Sequence, residues 1–203
     1  SECPVDFNGL FEWRGARLSM DVIHGFVLAG GLSRRMGQCK ALLRHPEDRP
    51  MVSVVRDVLA PVCRTVSIIL KPGQRDETWP IEHRYLEESP GLPNHPLSGV
   101  YTGLLGLSAG EWGLFAPCDV PYIKSTTLQR MLDAQKRSQW GVVATDGDHT
   151  HPLIAVIPAM MVDAVRQHLE SGDSARRMVR DFERVTVTSS ELSNLNTMQD
   201  LCS

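Results

Sequence analysis

Within the thirteen residues Leu28-Ala29-Gly30-Gly31-Leu32-Ser33-Arg34-Arg35-Met36-Gly37-Gln38-Cys39-Lys40 stand three glycines, two arginines and a lysine. Glycines let a phosphate come close to main-chain N–H groups, while guanidinium and ammonium groups neutralise charge on its oxygens, so the stretch reads as an anion cradle. The bland alternative is a turn with solvated bases. Neither of two common phosphate loops fits: there is no Gly-x-Gly-x-x-Gly, and Lys40 does not directly follow Gly37. Asp119 lies in Pro117-Cys118-Asp119-Val120-Pro121, where two prolines fix the loop around a carboxylate. Such a group can hold a hard cation such as Mg²⁺ beside substrate phosphates, or cap the turn that follows.

Other polar groups carry weaker signals. His151 before Pro152 either contacts a ligand or completes a local hydrogen-bond network. Asp146, Asp148 and His149 have the composition of a metal cluster, but Gly147 among them makes a tight turn the better reading. Arg176, Arg177 and Arg180 fall on neighbouring turns of a short helix, as a phosphate contact or a solvated face. Glu87 and Glu88 form an acidic pair. Asn194 and Asn196 are two apart and share a side in an extended segment, suited to a heterocycle edge or to an Asn-rich turn.

These groups need elements to place them. Residues 23–29 form an apolar strand ending on Gly30-Gly31. Met51, Val55, Val58, Leu59 and Val62 recur at helical spacing up to Pro61, and residues 66–70 form a β-branched strand stopped by Lys71-Pro72-Gly73. The Pro-rich connection 71–97, with a brief extended piece at 83–86, is long enough to suggest function. Ser98 is the expected cap of a helix to about Ala109, and residues 112–116 form a strand breaking at Asp119. Ser125 is the expected cap of the next helix. Strands follow at 140–145, 153–157 and 184–188, with Pro158 opening a helix to Leu169, a break at Ser171-Gly172-Asp173, a basic helix over 174–182 and a last helical turn at 197–201. Strands alternating with helices predict an α/β sandwich with a mainly parallel sheet, whose ligand sits beyond the carboxyl ends of the strands.

Composition bounds the rest. The 203 residues suffice for one core, so residues 20–203 are expected to form a single domain, with residues 1–19 as an extension. With 21 Lys+Arg against 24 Asp+Glu, the net charge of −3 offers no field for nucleic acid, and any phosphate site is local. The apolar stretch Val22 to Gly31 is too short to cross a bilayer. The five cysteines form no Cys-x-x-Cys pair, which argues against a disulfide scaffold or zinc knuckle and for a reducing cytoplasm.

The loop, in the form Leu-x-Gly-Gly-x-x-x-Arg-Met-Gly-x-x-Lys, resembles that of a wide group of nucleotidyltransferases. With His95-Pro96-Leu97-Ser98-Gly99, Pro117-Cys118-Asp119-Val120-Pro121-Tyr122-Ile123, Asn194-Leu195-Asn196-Thr197 and, more weakly, His151-Pro152-Leu153-Ile154-Ala155, the chain is similar to the molybdenum cofactor guanylyltransferases from about Ile23 to Leu201. The resemblance implies a Rossmann-like three-layer sandwich of the nucleotide-diphospho-sugar transferase type. It also implies transfer of GMP from GTP, with Mg²⁺, to the terminal phosphate of molybdopterin carrying molybdenum. Leu28, Ala29, Gly30 and Gly31 then line the nucleotide, Arg35 and Lys40 face its phosphates, and Asp119 binds the metal. Lys71 and Glu88 stand where the family has an Asn and an Asp on the nucleotide, and Cys39 stands where it commonly has Asp. Gly99, His151, Asn194 and Asn196 are assigned to the acceptor side. Cofactor-delivery or molybdoenzyme-maturation proteins would be partners. Transfer of CMP, transfer to a sugar or polyol phosphate, and a nucleotide-binding regulator without turnover remain the alternatives.

Overall fold

In a computed structural model of the chain, residues 22–31, 40–45 and 48–193 are described. Seven strands and five helices follow in the order β1 Ile23–Leu28, α1 Met51–Leu59, β2 Thr65–Leu70, β3 Arg84–Glu87, α2 Leu97–Leu105, β4 Trp112–Pro117, α3 Ser125–Gln135, β5 Val142–Thr145, β6 Thr150–Pro158, α4 Val162–Ser171, α5 Ala175–Met178 and β7 Glu183–Thr186. They build one sheet in the order β3-β2-β1-β4-β6-β5-β7. All neighbours are parallel except β6, which runs antiparallel to both β4 and β5.

Side-chain alternation explains the layers. Successive residues of a strand point to opposite faces, and here both faces are apolar. Val27 and Leu114 pack with Val52, Val55, Leu128 and Met131 of α1 and α3. Phe26 and Phe115, stacked at 5.0 Å between ring centroids, pack with Val100 and Leu104 of α2, Val165 of α4 and Met178 of α5. The sheet is therefore the middle of three layers, as expected for mainly parallel strands that must be covered on both sides.

Local signals held in some places and failed in others. Helix α1 ends at Leu59 and passes into a 3-10 turn, Ala60–Val62, that contains Pro61. Gly172 takes a left-handed conformation and closes α4, its N–H bonding the carbonyls of His168 and Leu169. Ser98 does not cap α2: the helix begins at Leu97 behind Pro96, and the Ser98 hydroxyl donates to the Pro93 carbonyl at 2.7 Å. Ser125 does not cap α3 either. Its N-cap position is Lys124, whose N–H donates to Glu191 Oε1 at 3.2 Å, and the Thr127 hydroxyl donates to the same oxygen at 2.6 Å. A buried carboxylate from the far end of the chain thus serves the turn that a local side chain was expected to serve. Burial pushes the Glu191 carboxyl up, but these hydrogen bonds, with those of Thr188, hold it below the ordinary range. Pro158 ends β6 and leads into the 3-10 turn Ala159–Met161, so α4 starts later than predicted, at Val162.

β6 also starts earlier than its apolar run suggested, at Thr150. Its pairing with β5 slips between Val143, opposite Ala155, and Ala144, opposite His151. Pro152, Leu153 and Ile154 are looped out between the two paired stretches, where a proline without an N–H does no harm.

Candidate functional site

The carboxyl ends of β2, β1 and β4, the start of α2 and the bulged start of β6 open on one cleft of about 660 Å³. Parallel strands deliver their ends to one edge, and an antiparallel strand delivers its beginning there, so β6 brings His151 to the cleft that β1 and β4 open with Gly30 and Asp119. The edge is tied together beyond the strands by main-chain bonds. Ala29 N–H donates to Ile69 O at 2.9 Å, Cys118 N–H to Leu28 O at 3.1 Å and Glu88 N–H to Leu70 O at 2.9 Å.

Of the residues singled out from sequence, Leu28, Gly30, Gly31, Lys71, Glu88, Gly99, Asp119 and His151 all line this cleft. Ala29 does not. It is 1% exposed, and its carbonyl accepts a bond from Gln74 Nε2 at 3.0 Å. Lys40 opens the 3-10 turn Lys40–Leu42, with its side chain outside what is described. Arg35, Asn194 and Asn196, the expected helical turn at 197–201 and the extension 1–19 lie outside the described residues.

The acidic pair at the end of β3 divides. Glu87 is exposed, whereas Glu88 is 6% exposed and accepts a bond from Lys71 Nζ at 2.6 Å through Oε2. A buried carboxylate needs such a partner, because removing it from water without one costs several kcal/mol. Its other oxygen, Oε1, lies between two glycines: a Cβ added at Gly30 would sit 3.1 Å from it, and one at Gly99 would sit 3.5 Å from it and 2.8 Å from Leu28 Cδ2. Absence of side chains at 30 and 99 is therefore what gives Glu88 Oε1 room toward the cleft.

On the opposite wall the predicted turn is present. Gly147 has φ of 102°, and Asp146 Oδ1 accepts bonds from the N–H groups of Asp148 at 3.0 Å and His149 at 2.7 Å. His151 Nε2 donates to Asp146 Oδ2 at 3.1 Å. The His149 main-chain bond, then the His151 ring, hold the Asp146 carboxyl down to about 2. His151 therefore belongs to a local network and also faces the cleft.

Among the described residues no three His, Cys, Asp or Glu side chains gather as a metal site, which excludes the turn at 146–149 as a cluster. The carboxylates that line the cleft are Asp119 and Glu88, the second already paired with Lys71. That suits a hard cation taking most of its oxygens from substrate phosphates and water, and not a transition metal needing a full protein cage. Among the described cysteines, burial pushes the Cys63 thiol up to about 12, so it takes no part as a thiolate. Among the described residues no helix is long and apolar enough to cross a membrane.

Sequence reasoning missed Gln74, whose side chain accepts from Lys71 N–H at 2.9 Å while donating to Ala29 O, locking the ends of β1 and β2 together. Only its place in the long 71–97 connection hinted at this. Asn94 also lines the cleft, as does His95, whose Nδ1 accepts from Leu97 N–H at 3.2 Å where α2 begins.

Residues 25–187 match the family model of the MobA-like NTP transferase domain. A probable molybdenum cofactor guanylyltransferase of Rhodopirellula baltica is 30% identical over 189 residues, covering 87% of this chain and 89% of that one. A molybdenum cofactor biosynthesis bifunctional protein of Synechocystis is 34% identical over 147 residues; the match covers 71% of this chain and 41% of that longer protein. Among solved structures, molybdopterin-guanine dinucleotide biosynthesis protein A from Archaeoglobus fulgidus superposes with a TM-score of 0.68 at 18% identity, covering 88% of this chain and 95% of that one. That likeness bears on the fold, which is the nucleotide-diphospho-sugar transferase type of sandwich.

Proposed function

The chain belongs to the MobA-like NTP transferase family, and from that premise we propose that it transfers GMP from GTP to the terminal phosphate of molybdopterin carrying molybdenum. The observation that carries the proposal is the single cleft in which Gly30 and Gly31, the Lys71–Glu88 pair and Asp119 meet at the carboxyl edge of the sheet. The relatives named guanylyltransferases support the choice of substrates.

In this reading an oxygen of the acceptor's terminal phosphate attacks the α-phosphorus of GTP. The bond from that phosphorus to the oxygen bridging the β-phosphate breaks, and pyrophosphate leaves with the bonding electrons. A phosphate nucleophile is already ionised near neutral pH, so no general base is needed. The task is to hold two polyanions together and neutralise charge as it moves to the leaving group. Main-chain N–H groups at Gly30 and Gly31, with Arg35 and Lys40, take the triphosphate. Asp119 would hold Mg²⁺, which when bound neutralises charge on the phosphate oxygens.

Base choice falls to Lys71 and Glu88. The guanine edge presents N1–H and an exocyclic amine as donors beside the O6 acceptor. Glu88 Oε1 accepts from the donors, and the Lys71 ammonium group donates to O6. Cytosine has no ring N–H at the corresponding place. Gly99 and His151 border the acceptor, with Asn194 and Asn196 on its pterin side. The expected partners are proteins that deliver the cofactor or mature molybdoenzymes, in the reducing cytoplasm.

The test is pyrophosphate release from GTP, CTP and ATP with Mg²⁺ and molybdopterin. Release from GTP at least about tenfold above CTP and ATP is expected, from one lost pair of base contacts. Release from CTP alone would move the chain to cytidylyl transfer, and nucleotide binding without release would make it a regulator.

A further inference from the structure

Beyond the last paired residues of β1 and β2, the ladder between them is continued by a side chain. In a parallel pair each strand alternately donates to and accepts from its neighbour, so after Ala29 N–H bonds Ile69 O at 2.9 Å the next bond due is Lys71 N–H to Ala29 O. The Gln74 carboxamide stands there instead: its Nε2–H donates to Ala29 O at 3.0 Å, and its Oε1 accepts from Lys71 N–H at 2.9 Å. Two hydrogen bonds in series replace one main-chain bond, so the ends of β1 and β2 are parted by the width of an amide and held at that spacing. The neighbouring junctions keep direct bonds, Cys118 N–H to Leu28 O at 3.1 Å and Glu88 N–H to Leu70 O at 2.9 Å. Gln74 is itself fixed. Pro72 and Gly73, the latter with φ of 67°, form the centre of a turn closed by Gln74 N–H to Lys71 O at 3.1 Å, and the indole N–H of the buried Trp79 donates to Gln74 O at 3.2 Å.

What the gap serves follows from the residues on its two sides. Gly30 follows Ala29 on one side, Lys71 begins the turn on the other, and the Glu88 carboxylate spans them. Its Oε2 accepts from Lys71 Nζ at 2.6 Å, and its Oε1 lies 3.1 Å from where a Cβ at Gly30 would stand. Gly30, Lys71 and Glu88 line the cleft, whereas Gln74 does not. A direct bond from Lys71 N–H to Ala29 O would draw the Lys71 main chain toward β1 and carry the ammonium group and its carboxylate with it. Hydrogen bonds weaken steeply outside narrow ranges of distance and angle, so groups that read a heterocycle edge depend on such a spacing. We propose that Gln74 is a positioning residue for base recognition: by parting the ends of β1 and β2 it sets the Lys71–Glu88 pair in register with the guanine edge, without touching the nucleotide. The inference deepens the reading of the cleft as a guanylyl-transfer site and rests on it.

The test compares wild type, Gln74→Met and Gln74→Glu as full chains. Met keeps the length of the side chain and neither of these hydrogen bonds; Glu keeps the bond from Lys71 N–H and loses the donor to Ala29 O. Calorimetric binding of GTP, ATP and CTP with Mg²⁺, without acceptor, gives the preference for guanine as a ratio of affinities. Gln74→Met is expected to weaken GTP binding about tenfold and to leave ATP and CTP within about twofold, because guanine alone presents N1–H to Glu88 and O6 to Lys71. Gln74→Glu is expected to show a preference between those of wild type and Gln74→Met. In steady-state transfer, the KM for GTP should rise about tenfold in Gln74→Met while kcat and the KM for the acceptor stay within about twofold. Equal weakening of all three nucleotides would make Gln74 a merely structural support and overturn the proposal, as would a preference that survives in both variants. Should Gln74→Met not fold, Gln74→Glu decides alone: an undiminished preference there overturns the role. A wild-type chain that binds GTP no better than ATP and CTP refutes the guanylyl reading itself, and the role of Gln74 with it.

Discussion

On the β1–β2–β3 flank, the wall of the cleft is built from main chain and from one ion pair whose carboxylate is buried. Ala29, Leu70 and Gln74 bond the strand ends to one another, and Lys71 meets Glu88 behind two glycines. Across the cleft, the β5–β6 turn, the bulge of β6 and α5 present side chains instead: Asp146 with His151, and arginines that remain exposed. The first flank is continuous with the parallel sheet. The second lies where strand direction reverses and the register slips. The first flank thus offers main-chain groups and one ion pair to the cleft, and the second offers exposed side chains.

Asp119 stands at the junction, and changing it should divide activity from architecture most completely. Asp119→Asn is expected to lower pyrophosphate release by about 10³-fold or more, the scale of losing a metal-held charge at phosphate. Its thermal midpoint should stay within about 2 °C, since Asn keeps the size of the side chain and an oxygen that accepts hydrogen bonds. Activity within a few-fold of wild type would remove Asp119 from the metal site.

The rigid flank is probed at its ion pair. Lys71→Met leaves Glu88 buried without its ammonium partner and should cost about 2–4 kcal/mol in denaturant unfolding, with Lys71→Met/Glu88→Gln recovering at least about half. A single-variant cost below about 0.5 kcal/mol would show that this flank is no more rigid than the other.

The smallest effect is expected on the opposite wall. The Asp146 carboxyl sits at about 2 in the fold against an ordinary 3.8, so its charged form favours the folded state. That contribution is fully present above about pH 4 and fades as pH falls through 2. Asp146→Asn should therefore be destabilised relative to wild type at pH 7, with the gap closing between pH 4 and 2 in paired unfolding curves. A gap independent of pH would mean that the turn is held by shape and not by charge.

What was legible in the chain was mostly local. An apolar run ending in Gly30-Gly31 announces a strand and the turn behind it, and Pro117 and Pro121 bracket Asp119 so tightly that its place at a strand end could be anticipated. Gly147 between two aspartates likewise announced its turn. The relations that escaped are those between residues far apart in sequence. Glu191 reaches the start of α3 across 67 positions, and nothing near Ser125 records that the local cap is displaced. The resemblance sets Lys71 and Glu88, 17 positions apart, at the nucleotide, but their pairing with each other follows only from the parallel register of β2 and β3. Arg184 reads as the outward residue of an alternating strand, and its place beside α5 follows only from β7 joining the sheet at its far edge.

The looped-out Pro152-Leu153-Ile154 has an evolutionary corollary. Because the ladder resumes on either side of the loop, residues can be added or deleted within it without shifting the hydrophobic alternation of β6 or disturbing β1 and β4. Changes of length there would reshape one lip of the cleft and leave the edge formed by Gly30, Lys71 and Glu88 as it is.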